Sequence, residues 1–582
     1  MMQILFAFFL MLGANSFAAE SEVTLPRVEF SGSATFETLN NDTYVPSSRT
    51  RFSKDRSNTL DDFKWTNPYP AQNYGYPSGA SGVNLGGRSV DDTQVTSLGV
   101  PLNLPQGGGG DLSFFPSFLW DEVILSPSTS SSGFSPSAAS GHLELVPWTR
   151  ARLVDPRGIK LNSRATLSVD RDLQTYSLAS AKEDVAMVAG VLLGRSQGYA
   201  GELSYYLLKK PGSHLILHAL GTNQKGDSPG SRSYPSPQAS KDVWRLIPVI
   251  ESHQELESGS IIESTLFADF QELSFNDPGP GGSFSNTHTQ QYGIENALLS
   301  GPYTFALSGR HVRFQSTSFD DVNEWPLYAA ATRDFYASDD LSLKVTLNST
   351  YLSKIGLYPG GKVSAKFAAD PKTFPFAEIS TIAKMPTLTA RYYRFGNSYQ
   401  GNPNLKPEKV HALLFGFQHE NARVKSTTTF KAEYRNAIQV SSGTTTLNQG
   451  DAYLLSLQKE LSFHLLDWIT LSSHTLLTGS RLKDSRFSYP DLPFFTEVGG
   501  LRFDPSDLWS LETNARYTGP SITSTGAFHE PYTLAAISAT YHFDQNIHAT
   551  LGLDNVFNSN AEAVVDYPLP GRIVYSSIQA SF

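Results

Sequence analysis

The chain contains no cysteine. In an oxidising compartment it must fold without disulfides, and thiol nucleophiles and thiolate metal sites are excluded. Charge is scarce: Asp, Glu, Lys and Arg make up 17% of the 582 residues, below the roughly 25% usual in soluble domains. The net charge of −10 is spread without an acidic or basic block, and the basic stripe that nucleic acid requires is missing. Beyond the N-terminus no stretch approaches the ~18 consecutive apolar residues of a membrane-spanning helix. There is no Gly-x-Ser-x-Gly elbow, His-Glu-x-x-His pair or phosphate-binding loop, so the chain reads as a non-enzyme. His142 and Glu144 lie two apart on a candidate strand, but two isolated ligands make no metal site, and no cofactor is implied.

What is present is aromatic and exported. Phe, Tyr and Trp reach 12%, with 36 Phe and 26 Tyr. "MMQILFAFFLMLGANSFAAE" has an apolar run from Ile4 to Leu12 and then small residues, which predicts a cleaved signal peptide over 1–19, although its first residues include no Lys or Arg. Without helical spans, a chain in lipid can pair all its backbone groups only as a closed β-barrel. Such strands alternate between lipid and lumen. In "LSLKVTLNSTYL", Leu341, Leu343, Val345, Leu347 and Tyr351 share one face, and Ser342, Lys344, Thr346, Asn348 and Thr350 the other. "NIHATLGLDNVF" sets Ile547, Ala549, Leu551 and Leu553 against His548, Thr550, Gly552 and Asp554. Period-2 runs recur from about residue 160 onwards, separated by turns such as "KKPGSH" and "NDPGPGG". A secreted β-sandwich array or β-helix is the soluble competitor, but no fixed repeat of 20–50 residues is present.

Residues 20–147 differ. They are rich in Gly, Ser, Pro and Asn, yet "SLGVPLNL", "LSFFPSFLWDEVIL" and "HLELV" would need burial. A small α+β domain ahead of the barrel is expected, with the boundary near Pro147-Trp148. Deep in the barrel region lies "GNPNLKPEK", Gly401 to Lys409, between "LTARYYRF" and "VHALLFGFQ", both of which read as sheet. Its two prolines cannot sit within a central strand. Pro403 and Pro407 fix φ, and Asn402 and Asn404 can bond locally, so the stretch predicts a defined bend at a barrel rim that shapes the barrel and binds no ligand.

Three stretches resemble TonB-dependent outer-membrane receptors. "KMPTLTARYYRFGNSYQGNPNLKPEK" is similar to the segment running from Arg-x-Pro-Thr through an aromatic strand to Gly-Asn-Pro-Asn-Leu-Lys-Pro-Glu. "LDNVFNSNAEAVVDYPLPGRIVYSSIQASF" resembles the last hairpin, ending on the Phe582 that barrel-assembly machinery reads. "GVNLGGRSVDDTQVTSLGVPLNLPQGGGGDLSFFPSFLWDEVIL" follows the order of the plug domain, with Arg88 at its structural Arg-Gly element. Leu98 stands where that family has Asp, and the late Arg-Gly-Pro element is replaced by "VILSPSTSSSGF".

The resemblance implies an all-β membrane protein: an antiparallel transmembrane barrel of 22 strands over 148–582, with the plug, 31–147, in its lumen and a periplasmic TonB-box segment over 20–30. It implies a monomer in the Gram-negative outer membrane, among lipid and lipopolysaccharide. It implies uptake of a bulky metal chelate, ferric siderophore or cobalamin, driven by inner-membrane proton-motive force through TonB and its energising complex. The compact length is nearer the cobalamin receptors. Glu22, Val23, Thr24, Leu25 and Pro26 would pair with TonB as an added strand. Asn73, Tyr74, Tyr76, Gln106 and Asp111, on the plug's outer loops, would meet the ligand. An uncoupled plugged channel, or an adhesin of the same architecture, stays open as the alternative.

Overall fold

A computed structural model describes residues 45–581, apart from short breaks of which 52–58, 75–79, 129–138, 151–163 and 484–488 are the longest. The signal peptide, Glu22 to Pro26, Tyr76, Arg88 and Phe582 lie outside the described residues. From Arg164 to Ser581 the chain forms one closed antiparallel barrel, in which the last strand, Ile573–Ser581, pairs with the first, Arg164–Val169. Twenty-three segments make the ring, but Phe319–Glu324 and Pro326–Tyr336 both pair with Tyr303–Ser316 and are two pieces of one strand. The barrel therefore has 22 strands.

Burial along the strands is inverted relative to a soluble protein. In Leu341–Leu352 the apolar Leu347 is 67% exposed, whereas Lys344 across the strand is 9% exposed. In Ile547–Asp554, Leu551 is 61% exposed and Thr550 3%. Leu266 points out beside the buried Asp269. Apolar residues on the outer face and polar ones inside are stable only where lipid surrounds the barrel. That inversion decides against the soluble sandwich.

The two ends differ. At one, strands turn tightly, as at 211–212, 301–302, 467–468 and 507–508; at the other lie the loops 228–239, 385–407, 437–450, 483–494, 519–531 and 555–572. Short turns are periplasmic and longer loops extracellular in such barrels.

The N-terminal domain fills the lumen around a five-stranded sheet: Ser48–Arg51, Trp120–Ser126, Gly141–Pro147, Thr93–Ser97 and Val100–Pro101, in that spatial order. Its core of Phe63, Phe114, Phe118, Trp120, Leu143 and Trp148 merges with the inner wall through Val188, Ile216, Val243, Ile247 and Phe267. Phe118 abuts the wall at Gly190, where a Cβ would lie 2.6 Å from the ring. At Leu98-Gly99 both residues have positive φ, 52° and 76°, in a hairpin closed by Ser97 and Val100. A turn of that hand favours Asn or Asp before Gly. Leucine there costs about 1 kcal/mol of backbone strain, offset by its packing against the plug core.

One element corrects the sequence reading. "LTARYYRF" is mostly helix, Leu388–Tyr392, with Tyr393 and the short strand Arg394–Phe395 extended. Thr387 caps it, its hydroxyl accepting from the Ala390 amide at 3.2 Å, and Pro386 precedes the cap as a stop to the strand Thr373–Lys384. The bend at "GNPNLKPEK" has the expected local bond, Asn404 amide to Asn402 Oδ1 at 3.0 Å. It also reaches further: Asn402 donates to the Thr446 carbonyl at 3.1 Å, and Asn448 Oδ1 accepts from the Lys406 amide at 2.7 Å. "VHALLFGFQ" lies in the strand Glu408–Glu420.

Candidate functional site

The plug is held to the wall by polar groups at several sectors of the ring. Under loop 385–407, Lys384 ends one strand and donates to Asp91 at 2.7 Å and to the buried Asp92 of the plug. Fully buried Arg435, near the end of Val424–Asn436, donates to Asp92 at 2.7 Å, to Glu433 at 2.7 and 3.0 Å, and to Ser140 at 3.2 Å. Lys431 donates to the Ser140 carbonyl at 2.9 Å. About a quarter turn further round the ring, the Arg516 guanidinium reaches the carbonyls of Asn67 at 2.8 Å and Tyr69 at 2.9 Å, with Lys64 at 3.1 Å and Pro68 at 3.4 Å. Arg150 pairs with Glu251 at 3.2 Å, and Arg245, held by Asp269, donates to the Leu102 carbonyl at 3.1 Å. Each contact is strong in this low-dielectric setting, and each is reversible.

The expected ligand residues fall into different settings. Asn73 ends the short strand Ala71–Asn73, opposite Ser81. Tyr74, next to it, is half-buried, and its ring meets Tyr567 of loop 555–572 edge-on at 4.7 Å. Burial raises its phenol pKa above the ordinary value. Gln106 sits in a turn under loop 385–407, where its carbonyl accepts from the Thr389 amide at 2.8 Å and hydroxyl at 2.7 Å. Its side-chain oxygen is buried with no hydrogen-bond partner among the described residues, a polar group poised for another donor. Asp111 is buried and engaged: it caps the turn Leu112–Phe114, accepts from the Ser81 amide at 3.0 Å, and pairs with barrel Lys241 at 3.0 Å. Tyr74 and Gln106 thus meet separate extracellular loops.

Sequence reasoning missed the closure of the mouth itself. Loops 555–572 and 228–239 meet at the rim. Asp566, at φ 73°, accepts from the Ser233 amide at 2.8 Å, and its carbonyl accepts from the Arg232 amide at 2.9 Å. Arg232 pairs with Glu562 at 2.9 Å. The Ser233 amide holds the exposed Asp566 carboxyl below its ordinary pKa. With Tyr567 on Tyr74, the clasp rests on the plug. Asp566→Ala removes the carboxylate bond, and cleavage of loop 228–239 by added protease is expected to rise about tenfold, the worth of one charge-assisted bond; an unchanged cleavage rate would show that the loops hold without it.

His142 gives the plug a pH dependence. It is buried in the strand Gly141–Pro147, its Nε2 2.6 Å from the Thr96 hydroxyl, and burial pushes the imidazole down to about 4. The unfolded histidine titrates near its ordinary 6.5. Between those values the unfolded state binds the extra proton, so stability is full above about 6.5 and falls as pH drops towards 4, by about 3 kcal/mol in all. The protection factors of amides in that strand, exchange rates divided by their intrinsic rates at each pH, should fall by about thirtyfold between pH 7.5 and 5 in the native chain, and much less in His142→Gln.

A wide barrel with an apolar outer face, stopped by its own N-terminal domain, is a plug-in-barrel architecture. The sequence profile of the Outer membrane protein beta-barrel family matches residues 390–568. The ferric enterobactin receptor of Pseudomonas aeruginosa is 24% identical over 230 residues, a match spanning 31% of this chain and about a third (31%) of that receptor. Among solved structures, the siderophore receptor PirA from Acinetobacter baumannii superposes with a TM-score of 0.75 at 12% identity, covering 93% of this chain and 99% of that one. The copper transporter OprC gives 0.77 at 12%, covering 92% and 99%. The chain is an outer-membrane β-barrel with the plug-in-barrel fold of the TonB-dependent receptors.

Proposed function

We propose that this protein captures a bulky metal chelate at its extracellular mouth and imports it when the plug is displaced by an energised pull. The observation that carries the reading is the way the lumen is stopped. A 22-stranded ring encloses more space than its own side chains fill, and the stopper is fixed by hydrogen bonds and ion pairs such as Asp92–Arg435, which force can break and rebinding can restore. Glu22 to Pro26 is the segment proposed to pair with TonB, which draws on the inner-membrane proton-motive force. Asn73, Tyr74, Tyr76, Gln106 and Asp111 are proposed as the ligand-binding residues of the two outer plug loops, with Asp111 also tying the loops together through the Ser81 amide and Lys241. Arg88 is assigned to plug structure, the plug to 31–147, and the assembled state to a monomer folded by the barrel-assembly machinery.

Ferric siderophore is the favoured cargo over cobalamin, because the similar proteins include a ferric enterobactin receptor and a siderophore receptor. Binding of a ferric tris-catecholate and of cyanocobalamin to the purified protein separates the two. The ferric chelate is expected to bind, with Tyr74→Ala about tenfold weaker, the worth of one buried aromatic contact. Tight binding of cobalamin alone, or of neither compound, would overturn this assignment.

A further inference from the structure

The outer face of four neighbouring strands, Glu408–Glu420, Val424–Asn436, Asp451–Leu466 and Ile469–Leu482, is layered at its extracellular end. Register aligns outward residues in rows. The top row is Lys409, Asn436 and Asp451, continued by Lys483, whose amide donates to the Asp451 carbonyl at 2.9 Å. The next is His411, Tyr434, Tyr453 and Arg481. Below come Leu413, Ala432, Leu455 and Gly479, then Phe415, Phe430, Leu457 and Leu477. Charged, then aromatic, then apolar is the order in which a membrane protein meets headgroup, interface and acyl chain.

Within the top rows the charges do not cancel. Asp451 is saturated: it accepts from Tyr434 at 2.8 Å, Asn436 at 2.7 Å and Lys483 at 3.0 Å. Lys409 and Arg481 are exposed and have no carboxylate partner among the described residues. They stand on the first and fourth of the strands, three spacings or roughly 14 Å apart. Between them His411 and Tyr434 stack at 6.1 Å, and Tyr434 and Tyr453 pack at 5.3 Å. Two unpaired cations flanking an aromatic shelf suit a ligand with separated phosphates and a sugar face between them.

We infer that this face is a binding site for a phosphorylated glycolipid of the outer leaflet, with Lys409 and Arg481 on its phosphates, Tyr434 and Tyr453 under its sugars, and the Leu413 and Phe415 rows along its acyl chains. The inference rests on the orientation that makes the loop end extracellular.

The test is retention of bis-phosphorylated lipid A by the purified full chain in detergent, read by native mass spectrometry, for the native protein and for Lys409→Gln/Arg481→Gln. Both positions are exposed, and heat-modifiable gel migration verifies that the variant is folded. The double variant is expected to lose at least about tenfold in retention, as is the native protein given dephosphorylated lipid A, with 10 mM inorganic phosphate displacing nothing. Should the variant fail to fold, salt dependence of lipid A retention on the native protein decides, and a flat profile overturns the site. Equal retention by variant and native chain, equal retention of phosphatidylglycerol, or displacement by phosphate would each overturn it too. Orientation is read separately, from labelling of Glu530→Cys in intact cells by an impermeant maleimide, which the cysteine-free background permits. Labelling without lipid retention rejects the glycolipid site alone; absence of labelling rejects the orientation and, with it, the outer-leaflet assignment.

Discussion

Arg435→Ala is expected to unseat the plug and make a closed barrel conduct. The guanidinium is fully buried and joins plug to wall, bonding Asp92 at 2.7 Å and Ser140 at 3.2 Å on one side and Glu433 on the other. Its removal leaves Asp92 buried with Lys384 as the remaining paired cation among the described residues, and truncating one partner of a buried pair costs about 3–5 kcal/mol. Lys384 offsets part of this, so the lower figure applies. In a planar lipid bilayer the native protein should be silent and Arg435→Ala should show fluctuating currents. Amide exchange at Asp92 and in Gly141–Pro147 should accelerate with it. A silent variant with native exchange would mean that the plug's apolar packing against Val188, Ile216 and Val243 holds it alone.

Leu347→Arg is the second large effect. Leu347 is 67% exposed midway along Leu341–Leu352. On a soluble protein such an exposed change would fall within about 0.5 kcal/mol of neutral. On the lipid face of a barrel, arginine near the midplane costs about 2–4 kcal/mol. The variant's unfolding midpoint in phospholipid vesicles should fall accordingly, while Lys483→Gln, above the apolar rows, should shift it far less. A neutral Leu347→Arg would place this face in water.

The barrel was legible because lipid sorts residues by a period that the sequence displays directly. In "LSLKVTLNSTYL" one face holds leucines and the other Lys344 and Thr346, and no knowledge of partners is needed to see it. The bend at "GNPNLKPEK" was legible for a similar reason, since proline and asparagine act on their own backbone. The helix Leu388–Tyr392 was not: it is short, and a single cap at Thr387 decides it against the extended preference of Tyr392 and the Tyr393 that follows. The polar locks were beyond local reading altogether. Lys384 and Asp92 are 292 residues apart, Ser233 and Asp566 333 apart, and neither pair marks its own neighbourhood. Asp91-Asp92 is one of three adjacent acidic pairs in the plug, with Asp61-Asp62 and Asp121-Glu122, so composition alone does not single it out. The partners of Asp111 were equally hidden: the Ser81 amide and Lys241 lie 30 and 130 residues away and leave no mark in its glycine-rich loop.

The energised cycle is the central claim, and accumulation of a radiolabelled ferric tris-catecholate in cells tests it most directly. Cells carrying the intact chain are compared with cells carrying a chain that lacks Glu22 to Pro26, with surface binding scored separately and with the proton gradient intact or collapsed. The account predicts equal surface binding in both, accumulation only with the intact chain, and its loss on collapse of the gradient. Equal accumulation by both chains without a gradient would contradict it and leave a passive plugged channel in its place.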